Sequence, residues 1–87
     1  MNIAFTPDAW AEYLYWNNRD LDIFKKINAL VTDIKRNGAM NGIGKPEMLK
    51  YRNEAEYSRK ITKEHRLVYV MQGIMLIIIS CKGHYDG

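Results

Sequence analysis

With 47% hydrophobic residues, two Trp, six Tyr and two Phe, an 87-residue chain holds enough apolar surface for one small core and too much for disorder. The net charge of +3, from 13 Lys+Arg against 10 Asp+Glu, is mildly basic and says little alone about a polyanionic partner. One cysteine, Cys81, excludes an internal disulfide, and the longest apolar run, Ile74–Ile79, is a strand's length, too short to cross a membrane as a helix.

Asn2–Thr6 reads as a short strand. Thr6-Pro7-Asp8 then starts a helix, with a Thr cap, Pro in the first helical position and an acid in the first turn. Trp10, Tyr13 and Leu14 are expected to form its buried face, and Asn17-Asn18-Arg19-Asp20 to break it. A second helix is predicted from Asp20 to Asn37, with Phe24, Ile27, Val31 and Ile34 as one apolar stripe that Ile23 and Leu30 widen. Lys35 and Arg36 in its last turn and Gly38 beyond mark the stop. The two helices are expected to form an antiparallel hairpin.

Ala39–Pro46 is a loop of small residues, and the remainder is β-like. Tyr57–Lys63 alternates, Arg66–Met71 is β-branched and aromatic, and Ile74–Cys81 is apolar on both faces, as in a central strand covered on both sides. A two-residue turn at Gln72-Gly73 would set Arg66 opposite Ile79. A second such turn at Glu64-His65 would pair Lys63 with Arg66 and put Arg59, Ile61 and Lys63 on one face with Arg66, Val68 and Val70. The end of the apolar strand then comes out beside Arg66, with His84 over that corner. The fold class expected is α+β: two N-terminal helices packed on a twisted, mainly antiparallel sheet, in one domain, residues 1–87. Met1–Phe5 lacks the basic segment of a signal peptide, so a cytoplasmic location is expected, with no membrane.

Three segments carry candidate chemistry. Glu47 in Gly44-Lys45-Pro46-Glu47-Met48-Leu49-Lys50 is a candidate base; Arg66 in Glu64-His65-Arg66-Leu67-Val68-Tyr69 a candidate phosphate clamp; His84, before Tyr85 at the end of the chain, a candidate acid. Base, cation and acid suffice to cleave RNA through its own 2′-hydroxyl, leaving a 2′,3′-cyclic phosphate and a 5′-hydroxyl. No metal or other cofactor is expected, since two His and one Cys lack zinc-site spacing. Tyr85 would stack on a base or orient the phosphate. Residues 45–66 carry Lys45, Lys50, Arg52, Arg59, Lys60, Lys63 and Arg66 with Tyr51 and Tyr57 among them, a pattern suited to phosphates and stacked bases. Each residue also has a plainer reading. Glu47 would pair with Lys45 or Lys50, Arg66 with Glu64, and His84 would be merely exposed. His65 is read as capping a turn rather than reacting.

The aromatic stretch Trp10–Trp16, Gly42-Ile43-Gly44-Lys45-Pro46-Glu47, Ser58-Arg59, Glu64–Tyr69 and the His84-Tyr85 ending, in this order and spacing, resemble the YoeB/Txe-type toxins of the RelE toxin–antitoxin superfamily over nearly the whole chain. The resemblance implies a microbial-RNase-like fold and an endoribonuclease that cuts mRNA in the ribosomal A site. By position it puts catalytic roles on Glu47, Arg66, His84 and Tyr85 and RNA contacts on Lys50 and Arg59, to which Lys45, Lys63 and Lys82 are added here. The implied partners are a cognate YefM/Axe-like antitoxin with an acidic C-terminal segment, the ribosome and mRNA, with DNA reached only through the antitoxin and a homodimer left open. A gyrase-binding toxin resembling the ParE group and a plain RNA-binding module are the alternatives. Lys82-Gly83 replaces the usual basic-aromatic pair and is expected to loosen the tail or alter its RNA contacts. Asp86-Gly87 extends the usual terminus, residues 53–57 are more acidic than usual, and Tyr57 stands where Trp is common.

Overall fold

The computed structural model describes residues 1–49 and 55–84. In chain order it contains β1 (Asn2–Phe5), α1 (Pro7–Arg19), α2 (Leu21–Asn37), β2 (Glu47–Leu49), β3 (Glu56–Lys60), β4 (Arg66–Gln72) and β5 (Met75–Ser80). Both helices begin where their capping residues require. Thr6 Oγ1 accepts from the Ala9 amide at 3.1 Å, with Pro7 in the first turn. Asp20 acts twice: its own N–H closes α1 on the Trp16 carbonyl, and its carboxylate accepts from the amides of Asp22 and Ile23 to start α2. The helices are tied by a 2.6 Å hydrogen bond from the Tyr13 hydroxyl to Asn28 and by Tyr13 packing on Phe24.

The two helices pack on a sheet with strand order β1-β5-β4-β3-β2, parallel between β1 and β5 and antiparallel elsewhere. The core takes Ala9 and Trp16 from α1, Ile27, Leu30, Val31 and Ile34 from α2, and Leu67, Tyr69, Leu76 and Ile78 from β4 and β5. The expected stripe on α1 is therefore displaced. Trp10 is 48% and Leu14 40% exposed, while Ala9, Tyr13 and Trp16, four and three apart, turn inward. The apolar strand β5 has a neighbour on each side, but β4 stands in the middle of the order.

Both expected registers shift. The β4–β5 turn is Gly73-Ile74, so Gln72 pairs with Met75, and a bulge follows where Val68 pairs with Ser80 but Tyr69 with Ile78. Residues 61–65, not two residues, link β3 to β4. The amides of Ile61 and Thr62 converge on the His65 carbonyl, and Thr62 Oγ1 accepts from the amides of Glu64 and His65. Lys60 thus pairs with Arg66 where Lys63 was expected, and this odd shift of three exchanges the faces of β3. Ser58 and Lys60 share a face with Val68 and Arg66, while Arg59 turns toward the helices. No helix among the described residues is long and apolar enough to cross a membrane.

Candidate active site

The segment leading to Glu47 is shaped by Arg59. This side chain is fully buried, and its five N–H groups make five hydrogen bonds. Nε donates to the Tyr69 hydroxyl at 2.9 Å. Nη1 donates to Asp33 Oδ2 and to the Ile43 carbonyl, and Nη2 to the carbonyls of Gly38 and Asn41 at 2.8 and 2.7 Å. The Tyr69 hydroxyl donates in turn to the Ala39 carbonyl at 2.6 Å. The hydrogen bond from Arg59, foremost, holds the Asp33 carboxyl below the usual carboxylate range, and burial raises the Tyr69 phenol above its ordinary value. Gly44 lies against this hub with φ +84°; a Cβ there would sit 2.7 Å from Leu30 and 3.2 Å from Arg59 Cβ. Lys60 N–H donates to the Gly44 carbonyl at 2.7 Å, joining the loop to β3 just before Lys45 and Glu47.

Glu47 opens β2 opposite Ser58, which pairs onward with Val68, and Lys60 beside it pairs with Arg66. Lys45, Glu47, Ser58, Lys60 and Arg66 line one cavity of about 230 Å³. Among the described residues, three cations and one carboxylate therefore line this cavity. Arg66 is half-buried, and its Nη1 donates to the carbonyls of Thr62, Lys63 and His65 at 2.8, 3.3 and 3.2 Å. Its Nη2 lies 3.2 Å from His84 Nε2. A guanidinium only donates, so this contact is a hydrogen bond in the form of His84 whose Nε2 carries the lone pair.

His84 reaches this corner because the chain beyond β5 is tied down by its backbone. The Trp16 indole donates to the Cys81 carbonyl at 2.8 Å, and the Cys81 amide donates to Glu12 Oε1 at 2.8 Å. The Arg66 amide donates to the Gly83 carbonyl at 2.9 Å, and the Gly83 amide to His65 Nδ1 at 2.9 Å. His84 lines a second cavity of about 260 Å³ with Glu56, Val68, Ile79 and Lys82. Arg66 lines the first cavity and His84 the second, and the two side chains touch.

Of the residues singled out from the sequence, Glu47, Lys45 and Arg66 share a cavity and His84 adjoins it. Lys82 is exposed beside His84, its Nζ 5.1 Å from the centre of the Tyr15 ring. Lys63 is exposed in the β3–β4 loop and does not line the Glu47 cavity. Lys50 and Tyr85 lie outside the described residues. Arg59 is corrected: an RNA contact was expected, but the side chain is sealed inside with all its donors engaged. Lys60 takes the outward place, the residue sequence reasoning passed over; only the length of the β3–β4 loop distinguishes the two. Gly83, expected to loosen the tail or alter its RNA contacts, is anchored through both its backbone groups.

The model of the family described as "YoeB-like toxin of bacterial type II toxin-antitoxin system" matches residues 5–85. The chain is 44% identical over 85 residues to Toxin YoeB of Escherichia coli (strain K12), covering 98% of this chain and all of that one. Among solved structures it is similar to the YoeB dimer from Staphylococcus aureus, at 49% identity and a TM-score of 0.93 over 98% of each chain. It is similar, too, to the toxin in a YoeB–YefM complex from Staphylococcus aureus, at 48% identity and a TM-score of 0.90 over 98% of each chain.

Proposed function

The chain belongs to the YoeB-like toxins of bacterial type II toxin–antitoxin systems, and from that premise we propose that it is a metal-independent endoribonuclease that cuts mRNA in the ribosomal A site. The observation that carries the reading is the convergence of Glu47, Lys60, Arg66 and His84 on one side of the sheet, with Arg66 in contact with His84. In this reading Glu47 removes the proton of a ribose 2′-hydroxyl, whose oxygen attacks the adjacent phosphorus. Arg66, with Lys60 and Lys45, meets the charge that builds on the phosphoryl oxygens. His84 gives a proton to the departing 5′-oxygen, leaving a 2′,3′-cyclic phosphate and a 5′-hydroxyl. Each acid–base group is worth about 10²–10⁴-fold.

Glu47, Lys45, Lys60 and His84 are all exposed, so the site holds its own groups better than it would hold RNA. Positioning can supply roughly 7–11 kcal/mol of a barrier, and the ribosome is the partner that would provide it, in the cytoplasm. By analogy with the Staphylococcus aureus complex, a YefM-like antitoxin would neutralise the chain with an acidic, apolar segment laid over the cationic corner. By analogy with the Staphylococcus aureus dimer, the chain would also pair with itself.

The test compares cleavage of one transcript with and without programmed ribosomes. We expect acceleration by orders of magnitude and cuts in fixed phase with the A-site codon, both abolished in Arg66→Ala and His84→Ala proteins that keep wild-type circular dichroism. Equal rates and cut sites without ribosomes would mean a free ribonuclease. Two folded, fully toxic variants would instead favour a toxin that acts by binding.

A further inference from the structure

We infer that His65 is a positioning residue for His84: the lone pair on its Nδ1 holds the Gly83 amide and so sets the imidazole of His84 against Arg66. The role deepens the nuclease reading and rests on it.

Hydrogen bonds on its amide and carbonyl fix the tail at Cys81, three residues before His84, Ser80 Oγ donates to the Lys82 carbonyl at 3.3 Å, and hydrogen bonds on both backbone groups fix Gly83, the immediate neighbour of His84. Of the pair at Gly83, the Arg66 amide belongs to the backbone of β4. Among the described residues, the His65 imidazole is therefore the side chain that holds the Gly83 amide, next to His84. Because the Gly83 amide is a donor, His65 Nδ1 carries the lone pair and its ring proton sits on Nε2.

The ring is itself held. The His65 amide donates to Thr62 Oγ1 at 3.2 Å, and its carbonyl accepts from the amides of Ile61 and Thr62. The imidazole meets the buried Trp16 edge-on, centroids 4.8 Å apart at 69°. This same indole donates to the Cys81 carbonyl, so one aromatic pair serves both tail anchors. The loop that carries His65 also grips Arg66, through the carbonyls of Thr62, Lys63 and His65. Residues 62–65 thus hold the clamp by their carbonyls and the acid's tail by one ring. A general acid works only within hydrogen-bond reach of the oxygen it protonates, and a misplacement of about 1 Å costs on the order of 10²-fold.

Three substitutions separate this role from plain packing. His65→Phe keeps a ring against Trp16 and removes the acceptor. In His65→Asn, Oδ1 branches from Cγ as Nδ1 does and restores it. His65→Gln puts its oxygen where Nε2 lies, facing away from Gly83. For His65→Phe we expect kcat on programmed ribosomes to fall about 10–100-fold with KM within about twofold of wild type. Gly83 amide exchange should quicken by about tenfold or more. His65→Asn should regain most of both losses and His65→Gln neither. Wild-type kcat in His65→Phe, or lost kcat with unchanged Gly83 protection, would overturn the role. Should His65→Phe not fold, Asn against Gln decides, and equal kcat in the two overturns it. His84→Ala is measured alongside. If it is inactive while His65→Phe is unaffected, only the positioning role fails. If it is fully active, the nuclease reading fails, and Gly83 exchange still tests whether His65 anchors the tail.

Discussion

Tyr69→Phe removes one oxygen from the interior and tests whether the Arg59 hub holds the loop that leads to Glu47. Tyr69 is fully buried. Its hydroxyl donates to the Ala39 carbonyl at 2.6 Å and accepts from Arg59 Nε at 2.9 Å. Phe fills the same space, so no cavity adds to the cost, but one donor of a buried guanidinium and one loop carbonyl lose their partner. Each such group costs about 1–3 kcal/mol, so the loss is about 2–6 kcal/mol. For a chain of this size 1 kcal/mol corresponds to about 4–8 °C in Tm, so melting should fall by about 8 °C or more. Tyr57→Phe is the control. Its ring stacks on Tyr69 at 5.7 Å, but its hydroxyl takes no part in the hub, and the change should stay within about 0.5 kcal/mol. Thermal and urea unfolding followed by circular dichroism measure both. A drop of less than about 2 °C for Tyr69→Phe would refute the reasoning, because the hub would then contribute little to stability.

Lys60→Gln should lower RNA cleavage about 10–100-fold while leaving unfolding unchanged within about 0.5 kcal/mol, because this cation is exposed and faces Glu47 and Arg66. Cleavage and melting of the same preparation check it. Burial, with the Glu12 carboxylate beside it, pushes the Cys81 thiol up to about 12. An unfolded chain loses that proton near the ordinary thiol value of 9.0, so the folded state binds more protons in between, and stability should fall as pH rises from about 9 toward 12. Urea unfolding across that range checks it, and Cys81→Ala should flatten the slope. In folded protein at pH 8, which lies below both values, the buried thiol should resist alkylation.

The helix starts were legible because they rest on local chemistry, Thr6 with Pro7 and the stripe through Ile27 and Ile34, whereas α1 runs on through Asn17–Arg19, where a break was expected, and Asp20 caps α2. The apolar strand was legible because six consecutive apolar residues admit few alternatives, and the tail reaches Arg66 although the β4–β5 turn that was expected to place it is shifted. What failed was register. Reading two turn residues where residues 61–65 form the connection moved the pairing of β3 by an odd number and chose Arg59 over Lys60 for the outer face. Composition could not correct this, because two adjacent basic residues look alike until one of them is seen to find Asp33, 26 positions away. Trp10 was read as core for a related reason. It packs against Phe5 and Tyr13 at the rim of the helix face, where an aromatic contributes contact and stays half in water.

The ways the site's parts are held bear on how such a toxin is switched. Arg66 is fixed through carbonyls of its own loop, His84 through backbone anchors at Cys81 and Gly83, and the approach to Glu47 through the Arg59 hub. Gly83 takes φ +93°, which side-chain-bearing residues rarely adopt, and a Cβ there would meet nothing within 4 Å. Backbone geometry, not crowding, is what this position demands, and both its amide and its carbonyl are used. Chemistry preformed in this way needs no rearrangement to act. On the proposed function it needs a substrate held in line over an open surface, which an A-site codon would supply and free RNA would not. The same rigidity gives an antitoxin little to remodel: a segment that covers the Arg66–His84 corner would suffice to block it. Inhibition with that corner left open would instead require an antitoxin to break one of the anchors named here, and loss of Gly83 amide protection in the complex would reveal it.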